Sequence, residues 1–137
     1  MVYIDANIFL LAILYDDEKS LRAKKVLIDI SESRMKAATS TLTWDEITWA
    51  IRKFVSPDKS IEEGEKFIKF PNLRIISFSQ KELEESQNLM KKYNLKPRDS
   101  IHAATAIMAG EKTMISDDSD FDRIKELKRI TLEEASK

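Results

Sequence analysis

The stretch Val2-Tyr3-Ile4-Asp5-Ala6-Asn7-Ile8-Phe9-Leu10-Leu11 decides the fold class. Its first three residues are apolar and β-prone and read as a strand starting almost at the amino terminus. Asp5-Ala6-Asn7 then turns the chain into a helix that continues to about Tyr15. That helix is apolar all round, so it is expected to be buried on more than one side. The same unit returns along the chain. Met35 to Ala38, Leu73 to Phe78, Thr113 to Ile115 and Lys128 to Thr131 read as further strands, the last at an edge. Between them, Ala23, Val26, Leu27 and Ile30 mark an amphipathic helix. Another runs from about Trp44 to Val55 with Trp44, Ile47, Ile51 and Phe54 on one stripe. Others lie near residues 60 to 70, over Lys81 to Tyr93, over Ser100 to Ala109 and over Phe121 to Leu127. Pro57, Pro71 and Pro97 interrupt the pattern, and Gly110 follows a last helical turn. The alternation indicates an α/β protein with a mostly parallel sheet and helices on both faces. Residues 1–137 are expected to form one domain.

Composition narrows the function. The chain has 23 Lys and Arg, 24 Asp and Glu, one His and no Cys, for a formal net charge of −1. Disulfides and thiolate metal sites are thereby excluded. No global positive field marks a nucleic-acid binder, so any such contact must be local. Ile8 to Tyr15 is the most apolar run, far short of the roughly 20 residues a membrane span needs. Asp5 precedes it, with neither a basic leader nor a small-residue cleavage site, so it is not a signal peptide either. The cytoplasm, without a membrane partner, is the expected location.

Four acids carry the chemistry: Asp5, Glu46, Asp99 and Asp118. Each follows an apolar strand or opens the helix after one, and open α/β sheets bind ligands at the carboxyl ends of their strands. Taken singly, each has an ordinary explanation. Asp5 and Asp99 would cap helices, and Thr43-Trp44-Asp45-Glu46 matches a capping box. Capping does not account for the flanks, because Asp5 lies between an apolar strand and an apolar helix, an unfavourable place for an uncompensated carboxylate. Several acids in one crevice repel each other by up to about 4 kcal/mol per close pair at 4 Å under a surface-like dielectric. A bound cation removes that penalty. With oxygen ligands, no Cys and a single His, Mg²⁺ or Mn²⁺ is favoured over Zn²⁺. His102 is read as a packed or hydrogen-bonded side chain rather than a ligand. Mg²⁺ sites commonly share the ion with phosphate oxygens, which points to a phosphoester substrate.

Together these stretches resemble a PIN domain, and in size and layout a VapC-type toxin ribonuclease. Val2 to Asn7 resembles the family's opening strand and its D-x-N/S motif. Thr39-Ser40-Thr41-Leu42-Thr43 through Glu46-Ile47 is similar to the Ser/Thr-rich approach to its Glu. Leu95 to Ala104 resembles the segment bearing the third acid, and Ser116 to Phe121 the T-x-D-x-D-F motif. Two positions depart from the pattern: Ser116 stands where Thr is commoner, and Asp117-Asp118 offers two registers for the fourth acid, of which Asp118 is taken.

The resemblance implies a three-layer α/β/α sandwich with a sheet of four to five strands. It makes Asp5, Glu46, Asp99 and Asp118 the catalytic, metal-holding acids, adds Asp120 as a fifth ligand, and has Asn7 and Ser116 orienting them. It further implies Mg²⁺- or Mn²⁺-dependent hydrolysis of single-stranded RNA to 5′-phosphate and 3′-hydroxyl ends, a homodimer, and an antitoxin partner that fills the active-site groove. Lys53, Lys96 and Arg98 are candidate phosphate contacts, and Trp49 a candidate for base stacking or a partner. A toxin and an RNA-processing nuclease both fit, the bare domain favouring the toxin. A phosphoacceptor receiver domain fits less well, since the strand Leu73 to Phe78 ends without an acid. A haloacid-dehalogenase-type phosphatase is missing its second Asp, because position 7 is Asn7.

Overall fold

Five short parallel strands form one sheet, in the computed structural model that describes residues 1–137. In chain order the elements are β1 (Val2–Ile4), α1 (Ala6–Leu14), α2 (Glu18–Ser31), β2 (Ala37–Ser40), α3 (Leu42–Phe54) and α4 (Pro57–Ile68). Then come β3 (Leu73–Ile76), α5 (Gln80–Tyr93), α6 (Pro97–Met108), β4 (Thr113–Ile115), β5 (Lys128–Ile130) and α7 (Leu132–Ala135). The strand order is β3-β2-β1-β4-β5. The chain therefore winds outward from β1 through β2 to β3, then crosses to the other side of β1 for β4 and β5. That reversal places the topological switch between β1 and β4, where such sheets bind ligands. Tyr3 pairs with Met114 and Ile4 with Ile115, so Asp5 and Ser116 leave the sheet side by side.

Successive strand residues face opposite sides of the sheet, and the buried residues sort accordingly. Ile4 and Ile115 join Ile8, Phe9, Val26, Ile30, Ile47 and Ile51 in a core under α1 to α4. Tyr3 and Met114 point the other way, to Leu89, Ala103, Ala104, Ala106 and Phe121. The result is the three-layer α/β/α sandwich expected from the sequence. On the second face α6 comes close to the strands because its inner residues are alanines.

Several boundaries differ from the sequence reading. Strand β2 lies two residues later than Met35 to Ala38, because its pairing with β3 runs through Thr39 with Ile75 and Ser40 with Ile76. Pro57 and Pro97 each begin a helix instead of only ending what precedes it. Proline suits that position, since its missing N–H has no intrahelical role there. The expected helix Phe121 to Leu127 is a 3₁₀ turn, Ser119–Arg123, and α7 was not anticipated. The Trp44-Ile47-Ile51-Phe54 stripe is only half buried: Ile47 and Ile51 are in the core, whereas Trp44 and Phe54 are 45% and 68% exposed. Nor is α1 enclosed. Only Ala6, Ile8 and Phe9 are buried, and Leu10, Leu11 and Leu14 line an open groove with Tyr15, Ala50 and Phe54. No helix is long and apolar enough to cross a membrane.

Ala104 is fully buried between α6 and the sheet. Ala104→Leu is expected to lower the unfolding free energy by about 1–3 kcal/mol through overpacking, measurable by urea denaturation.

Candidate functional site

Asp5 ends β1 and caps α1, accepting the Asn7 N–H at 2.9 Å. It is only 4% exposed. Burial pushes its carboxyl above the usual carboxylate range, and the neighbouring Ser116 hydroxyl works against that rise. Ser116 accepts the Asp118 N–H at 3.0 Å, so the serine beside Asp5 also holds the turn of the loop after β4. Asp118 in turn accepts the Asp120 N–H at 2.9 Å and caps the 3₁₀ turn. The Asp117-Asp118 doublet splits: Asp117 turns away and accepts the Leu132 N–H of α7 at 2.8 Å.

Glu46 arrives from the other side. The Thr39 hydroxyl donates to the Ile4 carbonyl at 2.7 Å, which leaves the Thr43 hydroxyl to donate to Thr39, also at 2.7 Å. Ser40 caps the helix start by accepting the Leu42 N–H at 3.0 Å. These bonds fix α3 against the end of β1, with Glu46 one turn in. The capping box read from Thr43 and Glu46 is not formed, because α3 begins at Leu42 and puts Thr43 inside the helix. Glu46 bonds instead to His102 Nε2, at 2.5 Å. Asp99 is likewise not a cap; Lys96 occupies that position and Asp99 lies in the first turn of α6.

Carboxylate oxygens of Asp99, Asp118 and Asp120 all lie within 4.8 Å of one another. Asp5, Glu46, Asp99 and Asp118 line a single inner cavity of about 30 Å³ with His102 and Phe121, space on the scale of one water molecule. Outside it, Glu46, Asp99 and Asp118 share a cleft of about 430 Å³ with Lys96, Pro97 and Arg98. Burial, the charge of Asp118 and that of Asp120 push the Asp99 carboxyl up to about 6. Asp99 Oδ2 is buried without any hydrogen-bond partner. Asp120 is partly balanced by Arg123, 3.4 Å away. An orphaned carboxylate oxygen facing further carboxylates fits a hard divalent cation, whose ligands are oxygens.

His102 is the feature the sequence underspecified. It is buried, with Nδ1 2.6 Å from the Tyr3 hydroxyl and Nε2 on Glu46, so neither nitrogen is free for a metal. Its spacing of three from Asp99 placed it on the right helix face, but both partners are distant in sequence. Asn7 meets Asp5 through its backbone, while its exposed side chain lines the groove along α1. Lys96 and Arg98 flank the acids; Lys53 instead lies 5.4 Å from the Phe54 ring. Trp49 does not line the acid cleft. With Trp44, Arg52, Ile61 and Ile68 it borders a separate groove between α3 and α4.

With this geometry in place, the sequence matches the PIN domain family model over residues 2–127. The chain belongs to the PIN domain family. No curated protein matches it in sequence. Among solved structures, this PIN domain is similar to one in a toxin–antitoxin complex from Klebsiella pneumoniae, with 25% identity, 96% of this chain and 98% of that one covered, and a TM-score of 0.69. Two others show the same fold. VapBC2 from Rickettsia felis, bound to a promoter DNA fragment, has 20% identity, coverage of 96% and 98%, and a TM-score of 0.72. VapC20 from Mycobacterium tuberculosis, described as a sarcin-ricin loop cleaving toxin, has 12% identity, coverage of 89% and 93%, and a TM-score of 0.74.

Asp99 holds its proton more tightly in the folded chain than in the unfolded one, so its contribution to metal-free stability is fully present below its ordinary value of 3.8 and is lost as pH rises through about 6. In EDTA, Asp99→Asn is therefore expected to stabilise the protein at pH 7 relative to wild type. The advantage should vanish near pH 4, as read by thermal melts across that range.

Proposed function

We propose that this PIN domain is a Mg²⁺- or Mn²⁺-dependent endoribonuclease that cuts single-stranded RNA, and that it is the toxin of a toxin–antitoxin pair. The observation that carries the reading is the orphaned Asp99 Oδ2 facing the Asp118 and Asp120 carboxylates. Asp5, Glu46, Asp99 and Asp118 hold the metal together with Asp120, whose carboxylate lies within 4.8 Å of those of Asp99 and Asp118. Ser116, beside Asp5, fixes the turn that carries Asp118 by accepting its N–H, and Asn7 fixes Asp5 through its N–H. Bound there, the ion supplies a water of lowered pKa and neutralises charge on the phosphate and the leaving oxygen. The inner cavity is too small for a nucleotide, so the RNA lies in the outer cleft, where Lys96 and Arg98 meet its phosphates. Cleavage leaves 5′-phosphate and 3′-hydroxyl ends.

The toxin assignment draws on the toxin–antitoxin complexes among the similar structures. It is supported by the apolar groove of about 470 Å³ along α1, which shares Asn7 and Asp118 with the acid site. An antitoxin segment seated there reaches the acids. The exposed Trp44, Trp49, Ile61 and Ile68 of the α3–α4 groove supply apolar surface for a homodimer. The whole chain acts as one nuclease unit in the cytoplasm.

Mn²⁺-dependent cleavage of single-stranded RNA tests the chemistry. Asp5→Asn keeps a good helix cap but loses the charge, and is expected to cut activity by more than the ~10–100-fold typical of losing a supporting residue at a metal site. Equal activity in variant and wild type would reject the site. Toxicity on expression, relieved by a protein encoded immediately upstream, checks the toxin role; RNA cleavage without toxicity would point to RNA processing.

A further inference from the structure

His102 is the chain's only histidine, and it sits at the centre of a bonded row that joins three elements. Tyr3 comes from β1, His102 from α6 and Glu46 from α3. The Tyr3 hydroxyl is 2.6 Å from Nδ1 and Glu46 Oε1 is 2.5 Å from Nε2. The two rings also meet edge to face, with centroids 5.7 Å apart and planes at 63°. His102 is 2% exposed. Glu46 makes no other hydrogen bond within the protein, while the Tyr3 hydroxyl also has the Thr39 hydroxyl and the Ser40 backbone beside it.

An ionised carboxylate only accepts, so the hydrogen between His102 and Glu46 belongs to Nε2. The Tyr3 hydroxyl at Nδ1 holds the other end of the ring, so the imidazole is fixed from both sides and its Nε2–H aims at one Glu46 oxygen.

We propose that His102 is a positioning residue for metal binding: held at Nδ1 by Tyr3, it fixes Glu46 through Oε1 and leaves Oε2 available to a cation held with Asp5, Asp99 and Asp118. The proposal rests on the metal-dependent reading above and adds which residues pre-organise its fourth acid. His102 touches neither ion nor RNA. Ligating carboxylates in metal sites are commonly held by such outer partners, and losing one costs ~10–100-fold in metal affinity. Residues so placed also lock the tautomer of the histidine they contact.

Because there is one histidine, the ring ¹⁵N–¹H spectrum of the uniformly labelled protein reports His102 without ambiguity. It is expected to show an Nε2–H signal that is hydrogen-bonded and slow to exchange with solvent; an Nε2 without a proton would overturn the proposal. Mn²⁺ affinity by calorimetry supplies the second readout. His102→Leu is expected to bind ~10–100-fold more weakly, while His102→Gln, whose amide can reach the same Glu46 oxygen, recovers most of the loss. Leu and wild type binding equally would refute it. Should His102→Leu not fold, Tyr3→Phe decides: faster exchange of the Nε2–H and weaker Mn²⁺ binding are expected, and an unchanged spectrum and affinity would refute the proposal. Asp99→Asn separates the two levels. If wild type itself binds no Mn²⁺, the metal-dependent reading fails and this proposal with it. If wild type binds, Asp99→Asn does not, and His102→Leu matches wild type, only the role of His102 is lost.

Discussion

Like charges held close together are the constraint around which this molecule is arranged. Carboxylates from β1, α3, α6 and the loop after β4 converge on a cavity no larger than a water molecule, and their mutual repulsion must be resisted by the rest of the chain. The resistance comes from short-range bonds at the end of the sheet: Thr39 to the Ile4 carbonyl, Ser116 to the Asp118 backbone, and Asn7 to Asp5. The first joins β2 to the end of β1, and the other two fix the tight turns that carry Asp5 and Asp118. Burial first, and the charges of Asp118 and Asp120 after it, hold the Asp99 carboxyl above its ordinary range. Stability here is given up locally in exchange for a site ready for positive charge.

Two kinds of space follow from this arrangement. The inner cavity is polar and closed to anything as large as a base, while the outer cleft places Lys96 and Arg98 beside Asp99 and Asp118. Opposite charges thus meet along one edge, acids inward and cations outward. This local polarity sets cations beside acids in a chain whose net charge is −1. The apolar groove along α1 opens on the same edge through Asn7 and Asp118.

What could be read from the chain beforehand depended on how local the signal was. Asp5 and Asp118 stood out as candidates because one directly follows a short apolar strand and the other lies within three residues of one, and the parallel sheet with helices on both faces followed from the alternation. Asp117 is drawn off by the backbone amide of Leu132, which no local pattern reveals, while Asp118 lies beside Asp99 and Asp120. Glu46 was legible as an acid of interest, but its spacing from Thr43 imitated a capping box, and only the fold brings it to a histidine 56 residues away. The extent of α1 burial was overestimated for the same reason. Hydrophobicity says that a face avoids water, and it does not say whether the same chain covers it. Trp44 and Phe54 carry the same lesson on α3.

The split of Asp117 from Asp118 ties the far carboxyl end of the chain to the loop bearing the fourth acid. Through Asp117, that loop is pinned to the first amide of α7, a helix of four residues held by its own Thr131–Glu134 cap. Such a short element has little cohesion by itself. A bulky affinity handle fused after Lys137 would pull on the same peptide segment that positions Asp118, whereas one placed ahead of Met1, which is exposed, enters through the best-anchored strand of the sheet. Where a tag is attached is thus a structural variable for this enzyme and not merely a matter of purification.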